Sequence, residues 1–136
     1  MEISATFDRQ ITALEDVFQL VETMFTAGEI NADMRFPVDL AIEEIFTNFV
    51  KYNPDGEGGI IICLTLDRDE LKMALTDSDS APFDLIGDAP AVDIDQPLQQ
   101  RTRGKLGVHL VKTIMDRVEY VHRNRISTIT LYKRVG

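Results

Sequence analysis

Three groups of residues have the types and spacing needed to handle a phosphorylated ligand. The first is Glu44, Asn48 and Lys51, which at i, i+4 and i+7 project from one face of a helix. An amide oxygen at Asn48 could ligate a hard cation such as Mg²⁺. An ammonium at Lys51 could meet phosphate charge, and a carboxylate at Glu44 could take a proton from an attacking hydroxyl. The plainer alternative is a solvated helix face, and spacing alone does not separate the two. The second is Asp77, in phase with Leu71, Met73 and Leu75 and so directed to a buried face, where a carboxylate needs a donor. The amino group of an adenine is one such donor; a turn closed with Ser78 is the other reading. The third is Arg103-Gly104-Lys105-Leu106-Gly107, directly before a helical pattern. Glycines let a backbone approach a ligand closely, and a helix N-terminus favours an anion. The segment is neither a P-loop, since no Gly-Lys-Ser/Thr follows, nor a dinucleotide fingerprint, since no strand feeds it.

Secondary structure must hold these groups in place. Residues 2–7 alternate apolar and polar side chains, as a half-buried strand does. Asp8 can cap a following helix in which Leu14, Val17, Val21 and Met24 recur at helical spacing, with Gly28 as its stop. A second helix starts near Pro37 and carries Glu44, Asn48 and Lys51 until Asn53-Pro54-Asp55-Gly56 breaks it. Residues 59–67 and 71–77 read as a hairpin. Residues 78–104 hold three prolines and no sustained period, which in a small domain marks a functional or mobile loop. A helix over 106–115 and strands over 118–123 and 127–134 complete the order β-α-α-β-β-loop-α-β-β. Strands and helices do not alternate strictly, which disfavours a doubly wound sheet. The predicted fold is an α/β (α+β) two-layer sandwich, with a mixed, mostly antiparallel sheet and helices on one face. The open face invites cover by a partner or a second copy.

Composition narrows the function classes. The 136 residues suffice for one domain with one core, expected over 1–136. A net charge of −9 disfavours nucleic-acid binding. The charge is uneven: from residue 101 on, nine Lys/Arg face only Asp116 and Glu119. That is a net of +7, leaving −16 for the first 100 residues. Self-neutralisation across the fold and a surface for phosphates or an acidic partner both fit this asymmetry. The first residues are acidic at once and show no basic-then-apolar leader, and the apolar run at 60–64 is too short to span a bilayer. A lone Cys63 suits a reducing cytoplasm, and one Cys with two separated His residues builds no zinc site.

Taken in this order, the elements resemble the ATPase and kinase superfamily of gyrase, the Hsp90 chaperone, histidine kinases and MutL. Within it the chain looks most like the stand-alone anti-sigma-factor serine kinases of bacteria, from about residue 5 to 134. Glu44-Ile-Phe-Thr-Asn48-Phe-Val-Lys51-Tyr52 is similar to the N-box. Arg103-Gly104-Lys105-Leu106-Gly107-Val108-His109-Leu110-Val111, ending in Met115-Asp116, is similar to the second glycine box. Pro82-Phe83-Asp84 looks like the loop after the family's aspartate.

The resemblance implies ATP and Mg²⁺ held between helices and sheet (a Bergerat-type fold) under a lid at about 78–104. Glu44 would fall at the general base, Asn48 at the magnesium ligand, Lys51 near phosphate and Tyr52 against base or ribose. Asp77 would read adenine, with Phe83 and Thr128 nearby, while Arg103, Gly104, Lys105, Leu106, Gly107 and Val108 would wrap the phosphates. The activity implied is a protein serine/threonine kinase acting on a small antagonist protein in bacterial transcription or stress signalling. A sigma factor is the other implied partner, and a homodimer the implied assembly. The chain departs from the pattern at Asp79, which stands where glycine is expected, and the interval to Phe83 is one residue longer. That departure favours the alternative, a non-catalytic ATP-dependent binding switch. A hydrolysing machine would need a transducer domain, and a histidine kinase a dimerisation helix pair.

Overall fold

Among the described residues, apolar side chains at every second position build five strands, and apolar side chains at helical spacing build three α-helices to cover them. The computed structural model describes residues 1–80 and 103–136, with 103–108 as backbone only. In chain order the elements are β1 (Glu2–Phe7), α1 (Leu14–Gly28), α2 (Arg35–Tyr52), β2 (Ile60–Asp67), β3 (Glu70–Asp77), α3 (Arg103–Ile114), β4 (Arg117–Arg123) and β5 (Ile126–Arg134). Short 3₁₀ turns at Ile11–Ala13 and Ala32–Met34 lead into α1 and α2.

The strands form one sheet in the order β1-β2-β3-β5-β4, and every adjacent pair is antiparallel. The connections explain this. Two helices between β1 and β2 return the chain to the end it left, so those neighbours run opposite ways. The single helix between β3 and β4 would make that pair parallel, but β5 is inserted between them. The expected two-layer architecture is therefore present, with a fully antiparallel sheet among the described residues. Its inner face, including Ile62, Leu64, Met73, Leu75 and Leu131, packs on Val21, Met24, Ile42, Ile45, Phe46 and Phe49 of the helices, all fully buried. Each such side chain contributes about 1.5–3 kcal/mol on burial. No helix among the described residues is long and apolar enough to cross a membrane.

Three boundaries differ from the sequence expectation. Asp8 caps no helix: the Gln10 N–H donates to the Asp8 carbonyl at 2.8 Å, a tight turn that places Arg9 outside any helix. Gly28 does not end α1 by its conformation, since Glu29 takes the left-handed cap at φ 52°. Gly28 instead packs closely on β2: a Cβ there would lie 2.6 Å from Leu66 Cδ2, which would have to shift. Finally, α3 begins at Arg103, so the glycine-rich segment forms its first turn and does not precede it as a loop.

Candidate nucleotide site

Helix α2 positions the first group. Val38, Ala41, Ile42, Ile45, Phe46 and Phe49 are buried against sheet and helices, which fixes the rotation of the helix. That rotation leaves Glu44 half-buried and Lys51 exposed, but draws Asn48 inward to 5% exposure. Tyr52, one turn further on, is 39% exposed. Helix α2 packs against α3, whose first turn is the glycine-rich segment. Glu44 and Lys51 take part in no ion pair among the described residues.

Asp77, at the end of β3, is in the opposite condition. It is fully buried, and Arg9 grips it with both arms: Nη1 donates to Oδ2 and Nη2 to Oδ1, each at 2.7 Å. The Asp79 N–H adds a third bond to Oδ1 at 3.0 Å, so the turn reading of Asp77 also holds. The Arg9 side chain is only 5% exposed, and its Nη2 also donates to the Glu57 carbonyl at 3.2 Å. Hydrogen bonding to Asp77 raises the Arg9 pKa above its ordinary value. Gly56 lies against this pair: a Cβ there would sit 2.7 Å from Arg9 Cζ and 2.9 Å from the Asp79 carbonyl.

The residue that replaces the expected glycine is equally committed. Asp79 Oδ2 accepts the Glu57 N–H at 2.6 Å, and Oδ1 accepts Arg125 Nε at 2.9 Å. The Glu57 N–H first, and Arg125 second, hold the Asp79 carboxyl below the usual carboxylate range. Arg125 sits in the β4–β5 turn with φ 65°, beside Asn124 at φ 52°. Left-handed backbone costs a non-glycine residue about 1–2 kcal/mol. The Ser80 N–H donates to the Arg125 carbonyl at 2.8 Å, so the same turn anchors the chain leaving β3. Behind it, Ser127 Oγ lies 3.3 Å from Ser80 Oγ and 2.8 Å from His122 Nδ1.

Buried polar atoms left without partners complete the picture. Among the described residues they are Arg9 Nε, Asn48 Nδ2 and Asn53 Nδ2. Asn53 directly follows α2, and its Nδ2 borders the same Gly56 that covers Arg9. Buried polar groups are nearly always hydrogen-bonded, so each exception calls for an explanation, and a ligand is one. The Asn48 amide fits a magnesium ligand, because a half-turn about its last bond presents Oδ1 where Nδ2 now lies. Among the described residues no group of three His, Cys, Asp or Glu could hold a metal.

Not every expected residue comes to this region. Thr128 pairs with Thr76 through their hydroxyls at 3.1 Å, and Thr76 alternates with Asp77, so Thr128 lies on the far face of the sheet. Ser127, directly opposite Asp77 in the register, occupies the near face instead. Phe83 and most of the expected lid at 78–104 lie outside the described residues, as do the side chains of Arg103, Lys105, Leu106 and Val108. Sequence reasoning missed Arg9, Arg125 and Ser127. Arg9 had a signal: a buried Asp77 demands a donor, and the first 100 residues hold only five basic side chains.

The chain matches the histidine kinase-like ATPase domain over residues 7–133 and belongs to that family. ATP binding is what such a domain implies. The fold is shared with the RsbU and RsbW domains of Rv1364c from Mycobacterium tuberculosis, at 15% identity and TM-score 0.69, over 99% of this chain and 32% of that one. It is shared with the SiaB–SiaC complex from Pseudomonas aeruginosa, at 10% identity and TM-score 0.65, over 96% and 88% of the two chains. The Acinetobacter baumannii histidine kinase AdeS follows at 16% identity and TM-score 0.51, over 98% and 68%. This chain thus spans about a third of the mycobacterial one (32%). No curated protein matches significantly in sequence. The family resemblance and the layered fold expected from sequence are both borne out.

Proposed function

We propose that the chain is an ATP- and Mg²⁺-dependent anti-sigma-type regulator that phosphorylates a serine on a small antagonist protein. The observation that carries this reading is the buried Asn48, whose amide nitrogen has no partner, one turn from Glu44, which makes no ion pair among the described residues, on a helix packed against α3. Asn48 would hold Mg²⁺, which when bound offsets phosphate charge. Glu44 accepts the proton of the partner's serine hydroxyl. Lys51, Arg103 and Lys105 offset charge on the transferred phosphoryl group, and the backbone of 103–108 wraps the phosphates. Tyr52 lies by base or ribose. Two fold neighbours support the partner class: one carries an RsbW domain, and SiaB is described in complex with SiaC. A sigma factor is the second partner, a homodimer the assembly and the cytoplasm the compartment. The open sheet face leaves room for a second copy, with Ile61 and Val121 41% and 62% exposed there.

A non-catalytic, ATP-dependent binding switch is the second reading. It is favoured by Asp79, whose bonds to Glu57 and Arg125 hold the segment that glycine would leave free. One experiment separates the two. The protein is incubated with labelled ATP, Mg²⁺ and an antagonist protein encoded beside it. Label on an antagonist serine, lost in Glu44→Ala, supports the kinase. Tight ATP binding without transfer supports the switch, and calorimetry showing no ATP binding overturns both.

A further inference from the structure

The bonds to Asp77 decide what else it can recognise. Arg9 uses one oxygen with each arm, and the Asp79 N–H takes a second position on Oδ1. A flat N–H donor approaching in the carboxylate plane needs the edge that the Arg9 fork now covers. The glycine at position 56 leaves this place close to the guanidinium open: a Cβ there would come within 2.7 Å of Cζ. A guanidinium and an aminopurine are alike in the two respects that matter here: both are planar, and both present N–H to a carboxylate. Leaving costs Arg9 its bonds to Asp77 and Glu57 but disrupts no regular element. Arg9 belongs to no helix or strand, and its Nε has no partner in the buried position.

We infer that Arg9 is a nucleobase gate. Its guanidinium takes the place on Asp77 that an aminopurine base would occupy, and the base binds there only as Arg9 withdraws. This rests on the proposed nucleotide site and adds to it the residue that sets base selectivity. Exchanging a bidentate ion pair for one neutral amino contact disfavours base entry. The 6-amino group therefore adds little to affinity while Arg9 is present. Without Arg9, the buried Asp77 lacks a donor, and the amino group supplies one.

The test measures binding of ATP, purine riboside triphosphate (which lacks the 6-amino group) and inorganic triphosphate, each with Mg²⁺, to the full chain and to Arg9→Gln. In the native chain the two nucleotides should bind within about threefold of each other. In Arg9→Gln, ATP should tighten by about tenfold or more, a shift of about 1.4 kcal/mol. The other two probes should change by no more than about twofold on the same scale. A second measurement needs no variant to fold: the Arg9 Nε–H signal in the native chain should move with saturating ATP and stay in place with inorganic triphosphate. Binding of ATP with an unmoved Arg9 signal, or an unchanged ATP preference in Arg9→Gln, overturns the gate and leaves the nucleotide site standing. No binding of any probe to either protein overturns both.

Discussion

Residues 44–51 of α2 and residues 77–80 after β3 offer ligands similar side chains, but in opposite states of satisfaction. On α2, Asn48 is buried with its amide nitrogen unpartnered, and Glu44 and Lys51 stand without ion pairs among the described residues. After β3, both oxygens of Asp77 and both oxygens of Asp79 accept hydrogen bonds from within the chain. Burying a polar group without a partner costs about 1–3 kcal/mol, so the first arrangement is held at a penalty that a ligand can remove. The second is already near its own minimum, and a ligand must undo it. Perturbing the two regions should therefore change different properties: function and little stability on α2, stability and base selectivity after β3.

The largest effect is expected at Glu44. Glu44→Gln keeps size and hydrogen-bonding capacity but removes the base. Phosphoryl transfer to the antagonist should fall by about 10²–10⁴-fold, the usual worth of a positioned general base. ATP affinity should barely change, because the role lies in proton transfer and not in holding the nucleotide. Single-turnover transfer of labelled phosphate, set beside calorimetric binding of ATP, reads the two quantities separately. A parallel loss of binding would place Glu44 in the nucleotide's grip and remove its role as base.

Next in size is a contrast in stability. Asp77→Ala strands the Arg9 guanidinium in a site where the side chain is 5% exposed. Breaking a buried pair from one side costs about 3–5 kcal/mol, so the urea midpoint should fall steeply. Asn48→Ala removes a group whose amide nitrogen has no partner to lose, and the nucleotide-free protein should change by less than about 1 kcal/mol. The same Asn48 variant should lose the part of ATP affinity that depends on Mg²⁺, measured by titration with and without chelator. If Asn48→Ala destabilises as much as Asp77→Ala, the amide is structural and the comparison between the two regions fails.

The sequence displayed these regions unequally, for physical reasons. The α2 group was legible because helical periodicity fixes which side chains share a face, and Ala41, Ile45 and Phe49 set the rotation. The two hairpins were legible too, since turn and period signals mark them, but the insertion of β5 between β3 and β4 was not. The pairing of Arg9 with Asp77 spans 68 residues and rests on a turn after β1 that no local pattern announces. The face of Thr128 depends on register, and a strand shifted by one residue sends every side chain to the other side. Ser127, not Thr128, therefore shares the face of Asp77. The tether from Asp79 to Arg125 is likewise non-local, and Arg125 adopts a positive φ that favours glycine or asparagine.

That tether gives the smallest effect and the sharpest control. The Asp79 carboxyl is held below its ordinary range, by the Glu57 N–H first and Arg125 second. A carboxylate with a depressed folded-state pKa stabilises the fold fully above its unfolded pKa of about 3.9 and loses that contribution as pH falls through the folded value. The stability difference between the native chain and Asp79→Asn should thus be flat above about pH 5 and shrink below about pH 4. Arg125 is 61% exposed, so salt should reach this pair. At about 1 M salt the screening length falls to about 3 Å, and the difference should contract further. Arg9 and Asp77, at 5% and 0% exposure, are shielded from that screening, and the cost of Asp77→Ala should persist in the same buffer. Equal salt sensitivity in both variants would mean that water reaches Asp77 as freely as Asp79, and the gate at Arg9 would then have no closed state to open.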